Sequence, residues 1–211
     1  MFSIIQAVGW TIWPLIACSV LALAIVIERF VSLKSSKIAP PRLLDEVIGV
    51  TRSGIPAPDV VSQLELNSAL GEVLASGLRA LNADPRCSEE DLRATMEGAG
   101  RVVAHRLDRY LSALGTIASA APLMGLFGTV VGMIEIFGSQ SPGTATGGNP
   151  AQLAHGISIA LYNTAFGLMV AIPSLIFWRY FRGQVDAYLL TLELSSERLA
   201  RHLKAVRRKH S

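Results

Sequence analysis

Two long stretches of this 211-residue chain contain no lysine or arginine: residues 1–28 and residues 110–178. The 19 basic residues fall into two blocks, 11 between Arg29 and Arg109 and 8 between Arg179 and Lys209. The acids follow the same pattern. Twelve of the 16 lie between Glu28 and Asp108 and three between Asp186 and Glu197, while Glu135 stands alone inside the second uncharged stretch. A soluble domain of this size carries about 25% charged residues, whereas here the figure is 17%, with 51% hydrophobic. Such a distribution excludes a soluble enzyme, a disordered chain and a disulfide scaffold. It predicts an all-α integral membrane protein.

About 20 helical residues cross a hydrocarbon layer. The first stretch contains IACSVLALAIVI and closes at Glu28-Arg29-Phe30, with no basic residue ahead of it. A signal peptide would need a basic start and a small-residue cleavage site, so residues 1–31 read as an uncleaved first span. The second span, 111–138, follows a helical segment opened by Ser88-Glu89-Glu90-Asp91, an N-cap with acids in the first turn. Small residues recur along it every three or four positions, among them Gly115, Ala118, Ala121, Gly125, Gly128 and Gly132. That spacing lets one face approach other helices closely, and it predicts a homo-oligomer built through the small-residue faces of the second and third spans. SQSPGTATGGNP is a loop by composition, giving a boundary of 139–152. The third span, 153–180, ends at Trp178-Arg179-Tyr180, an aromatic and basic interface anchor. Pro122 and Pro173 sit inside spans two and three, which is tolerated where a neighbouring helix or water satisfies the freed carbonyl.

The basic segments are 32–110, broken by Pro40-Pro41 and Pro56-Ala-Pro58, and 181–211. In the latter, Val185, Leu189, Leu192, Ser196, Leu199, Leu203 and Val206 repeat at intervals of three and four, the stripe of a helix lying against a neighbour. The positive-inside rule puts both segments in the cytoplasm and the N-terminus and the 139–152 loop outside. Clustering of charge beside spans accounts for the basic balance, and no basic–aromatic platform points to nucleic acid.

No nucleophile–base pair, phosphate loop or metal spacing is present, and Cys18 and Cys87 have no ligand pattern. The chain is therefore not read as an enzyme, and no cofactor or metal is expected. Polar groups inside the spans remain, and such groups often mark ion paths. Thr129 and Thr164 each read either as path residues or as threonines bonded back to their own helix. Asn163 cannot satisfy its amide within its own helix and needs a partner helix or water. Glu135 reads as a carboxylate at the outer interface, hydrated or paired.

APLMGLFGTVVGMIEIF followed by GISIALYNTAFGLMVAIPSLIFW resembles the two-helix signature of the MotA/TolQ/ExbB proton-channel family, closest to its ExbB-like members. The resemblance extends to Glu28-Arg29 and the long insertion. It implies a bacterial inner-membrane pentamer whose second and third spans line a pore, through which pass single-span ExbD/TolR-like partners carrying a membrane aspartate. Ion flow would then drive mechanical work in an envelope process such as TonB-dependent transport, with a TonB-like protein as a further partner. By the same resemblance Thr129 matches the pore threonine of the family's GTV motif and Thr164 the threonine of its ATA-type motif, with Asn163 beside it. Two positions depart. Ile159 stands where ExbB and TolQ members have a glutamate, and Asn163 stands where the family has alanine. Isoleucine cannot hold a proton, so the titrating acid would come from the partner, and threonine oxygens would suit Na⁺ as well as H⁺. The alternative function is a non-conducting scaffold that assembles and stabilises single-span partners.

Overall fold

The structure, a computed structural model, describes residues 10–52, 54, 56–138 and 150–210. The expected 139–149 part of the outer loop and residues 1–9 lie outside these residues, as do the side chains of 150–153, of His155 and of 207–210. Among the described residues there is no strand. The helices are α1 (Ile12–Ser32), α2 (Ser35–Ile38), α3 (Leu43–Thr51), α4 (Pro58–Asn67), α5 (Ala69–Ala83), α6 (Glu89–Asp108), α7 (Leu111–Gly138) and α8 (Pro150–His210). Three of them contain stretches long and apolar enough to cross a membrane.

The chain separates into two compact units, residues 1–28 with 110–180 and residues 29–109 with 181–211. In the first, Leu15, Ala121 and Ala171 form a small core, with Met124, Phe166 and Val170 against it. Large apolar side chains point outward instead, among them Leu23, Leu123, Ile134, Leu161 and Met169. An exposed apolar surface around a small core with alanine at the helix contacts is the pattern of helices whose outer faces meet lipid.

The second unit is built like a water-soluble domain. Pro58 opens α4 at its first turn, where a missing N–H is no loss. The hydroxyls of Ser68 and Ser88 cap α5 and α6, accepting from the amides of Gly71 and Asp91 at 3.0 Å each. Leu74, Leu78, Leu81 and Met96 are almost fully enclosed. The C-terminal part of α8 buries Val185, Leu192, Leu199 and Leu203 along its stripe. Around that stripe Tyr188 donates to the Leu33 carbonyl at 3.0 Å, Arg182 pairs with Asp108 at 2.8 Å, and Lys204 with Glu89 at 2.5 Å. Arg29, only 3% exposed, donates to the Leu107 carbonyl at 2.8 Å, placing a cation at the C-terminal end of α6, where the helix dipole favours it.

Two boundaries differ from the sequence expectation. The third span and the C-terminal helix form one element, α8, with no break near residue 180. Its apolar stripe takes over at Phe181 and Val185 without a proline or glycine pair that would interrupt the backbone ladder. That helix also begins at Pro150 rather than after 152, because proline at a first helical position is already set for it.

Candidate functional site

Within the first unit α7 and α8 meet backbone to backbone. A Cβ built on Gly125 would lie 2.7 Å from the Asn163 carbonyl oxygen and 3.2 Å from Gly167 Cα. One built on Gly167 would lie 2.6 Å from the Ala121 carbonyl oxygen. Any larger residue at either place has to push the helices apart. Gly128 faces the Asn163 side chain, Gly115 the indole of Trp178, and Gly156 the side chain of Ile136. Gly132 is looser, with Ala160 Cβ at 3.5 Å. At Gly125 and Gly128 the close packing is made within the chain, where Asn163, Thr164 and Gly167 occupy that face.

Pro122 is half-buried and Pro173 exposed, and both helices run on through them. Ser174 is 2% exposed and donates to the Val170 carbonyl at 2.7 Å, one turn back. Such a hydroxyl is content within its own helix.

Thr129 and Thr164 lie at the edges of this crossing, each half-buried. The Thr129 hydroxyl donates to the Leu126 carbonyl at 2.6 Å, and the Thr164 hydroxyl donates across the crossing to the Gly125 carbonyl at 3.5 Å. Thr129 is thus bonded back to its own helix, whereas the Thr164 proton is turned to the neighbouring one. What each hydroxyl still offers is its lone pairs, which accept from water or hydronium, or ligate a hard cation. A shallow apolar depression lined by Val130, Met133, Ile134 and Phe137 adjoins Thr129.

Asn163 behaves differently. It is 2% exposed, and its amide nitrogen donates to Thr11 Oγ1 at 3.1 Å. Its need for a partner was legible in the sequence, but the partner was not. Thr11 precedes α1 and carries no motif of its own, and 152 positions separate the two residues. Ile159 is half-buried, one turn before Asn163, and Glu135 is exposed near the end of α7. The structure therefore brings together Asn163, Thr164, Gly125 and Gly128, with Thr129 one turn from Gly125. It does not bring Glu135 into that cluster. Among the described residues no three His, Cys, Asp or Glu side chains gather as a metal site.

Comparison with known proteins matches residues 65–194 to a family described as the MotA/TolQ/ExbB proton channel family. The chain is 32% identical to Putative biopolymer transport protein ExbB-like 3 of Synechocystis sp., over 93% of this chain and 90% of that protein. It is 30% identical to Biopolymer transport protein exbB1 of Vibrio cholerae, over 80% of this chain and 73% of that one. Tol-Pal system protein TolQ of Pseudomonas aeruginosa is 29% identical, over 82% and 77% respectively.

Proposed function

This chain belongs to the MotA/TolQ/ExbB proton channel family, and from that premise we propose that it is the cation-conducting motor subunit of an inner-membrane complex. Five copies surround single-span partners of the ExbD/TolR kind, each bringing a membrane aspartate. Thr129 and Thr164 face the path between subunit and partner, with Asn163 behind them. Ion flow past the partner's carboxylate does mechanical work on an envelope process such as TonB-dependent transport.

The observation that carries this reading is the state of the two hydroxyls. Each directs its proton to a backbone carbonyl and leaves its lone pairs free, which suits a passing cation and repels an anion. Ile159 supplies no charge, so the subunit offers oxygen rings and the partner offers the titrating group. A carboxylate that is protonated, passes a ring and is then released moves one charge per passage with no acid on the subunit. Proton and sodium both meet this requirement.

Topology follows from the charge distribution: the N-terminus and the 139–152 loop outside, 32–110 and 181–211 in the cytoplasm. An impermeant thiol reagent labels a cysteine placed at Thr144 in intact spheroplasts under this arrangement. Labelling only after permeabilisation contradicts it.

Ile159 favours a second reading, in which the subunit conducts nothing and merely assembles its partners. Flux separates the two. Liposomes holding the complex acidify under an imposed potential if it conducts, and stop when the partner's membrane aspartate is changed to asparagine. Equal, background-level flux in both samples selects the scaffold.

A further inference from the structure

The polar group at Asn163 occupies a notch that Gly128 leaves open. A Cβ at Gly128 would lie 2.6 Å from Asn163 Nδ2 and 2.7 Å from its Cγ. From that notch the amide nitrogen reaches Thr11 Oγ1 at 3.1 Å. The amide oxygen is buried and accepts no hydrogen bond from the described residues. Thr164 follows directly, its Cα 3.1 Å from where a Cβ on Gly125 would stand. Successive residues of a helix share one stiff backbone, so whatever fixes the backbone at Asn163 also fixes the direction of the Thr164 Cα–Cβ bond.

Filling space alone would be done better by an apolar side chain, because a buried carbonyl oxygen without a donor destabilises its surroundings. The amide makes sense if both ends are used. Water is the donor small enough for a helix crossing this tight, and it brings two protons to share. One turn earlier stands Ile159. Span three thus carries a neutral, buried amide with an unused oxygen, one turn on from an apolar position.

We infer that Asn163 is a positioning residue for the ion path: its amide nitrogen, fastened to Thr11, sets the rotation of α8 and the aim of Thr164, and its amide oxygen binds a water molecule in the same crossing. The inference rests on the reading of Thr164 as a path residue. It ties the first span to the conducting face through a single hydrogen bond. It also makes Thr11, which lies outside the two-helix signature, a determinant of conduction.

The test uses proteoliposomes holding the complex isolated through a tag on the full chain, with proton uptake followed by a pH-sensitive dye and sodium uptake by radiotracer. Each variant is first matched to the unmodified chain in yield and complex mass. Thr11→Val and Asn163→Ala each slow flux by about tenfold, in keeping with the loss of one aligning hydrogen bond. The double variant is no slower than Asn163→Ala, because both changes cut the same link. Thr11→Ser keeps the hydroxyl and conducts normally. Asn163→Asp puts an ionisable group in the place of the amide. Contact with water lets that group titrate, so flux is retained on the acid side and falls on the alkaline side, a step the unmodified chain lacks. Normal flux in Thr11→Val, or losses that multiply in the double variant, overturns the clasp. An Asn163→Asp variant that follows the unmodified pH profile overturns the bound water. If Asn163→Ala fails to assemble, Thr11→Val against Thr11→Ser decides. Thr164→Val, measured alongside, separates the two levels. Normal flux there sinks the path reading itself. If Thr164→Val is silent while Thr11→Val and Asn163→Ala conduct normally, only the positioning role is lost.

Discussion

The two units of this chain hold their helices together by different chemistry. In residues 1–28 and 110–180 the closest contacts are made by what is missing: Gly125 and Gly167 lack side chains, so backbones touch, while many large apolar residues, Leu123, Ile134 and Leu161 among them, point outward. In residues 29–109 and 181–211 the contacts are made by what is present: leucines and Met96 inward, serine caps at helix starts, and ion pairs around the rim. The solvent explains the difference. A leucine leaving lipid for a protein interior gains almost nothing, so close packing and an occasional hydrogen bond must hold membrane helices. A leucine leaving water gains about 2 kcal/mol, so side-chain volume does the work in the other unit.

The largest effect expected from breaking this contrast is at Gly125. Gly125→Leu forces a branched side chain against the Asn163 carbonyl and should destabilise the first unit by about 3 kcal/mol or more. A lower unfolding midpoint and faster proteolysis of α7 and α8 in detergent, each against the unmodified chain, report it. A variant that matches the unmodified chain in both shows that the crossing is not tight.

Next comes a matched pair of leucines. Leu74 is fully enclosed and Leu123 is 66% exposed. Leu74→Ala should cost about 2–5 kcal/mol from lost burial and the cavity left behind, whereas Leu123→Ala should barely move the unfolding midpoint. Equal losses would mean that the outward face of α7 is packed against something other than lipid.

A smaller change sharpens the contrast from the other side. Gly98 lies inside α6, and a Cβ there meets nothing within 4 Å. Gly98→Ala should stabilise the second unit by about 0.5–1 kcal/mol through helix propensity. The same substitution at Gly125 should destabilise, so opposite signs from one chemical change are the readout.

The smallest effect is electrostatic. The hydrogen bond from Lys204, with further help from the charges of Lys204 and Arg93, holds the Glu89 carboxyl below its ordinary value of 4.5. A depressed acid stabilises the folded state above its unfolded pKa and loses that contribution as pH falls through the folded one. Glu89→Gln should therefore lower the melting temperature slightly at neutral pH and leave it unchanged in strong acid. Salt should shrink the difference, since the pair is exposed.

How much of this was legible in the sequence follows the same division. The charge gaps locate the spans because a charge in hydrocarbon is costly wherever the helix sits. Ser88 with its following acids marks the start of α6 because capping is local. The C-terminal stripe announces a packed helix because its period is local too. What the sequence hid is pairing. The glycines said that something comes close, and only the structure says that it is Asn163 and Gly167 of the same chain. Asn163 said that it needs a partner, and nothing near Thr11 identified that residue. Thr129 and Thr164 were readable as polar groups in spans, but the direction of their hydroxyl protons depends on which carbonyls the fold puts beside them.

The central claim is that cations pass along the two threonines. Thr129→Val and Thr164→Val keep shape and delete one hydroxyl each, and Glu135→Gln removes the exposed acid at the end of α7. Ion flux through reconstituted complexes of unchanged mass is the measurement. The account predicts that either valine variant abolishes flux while Glu135→Gln conducts normally. Normal flux in either valine variant would contradict it, and silence in Glu135→Gln would move the function to the carboxylate.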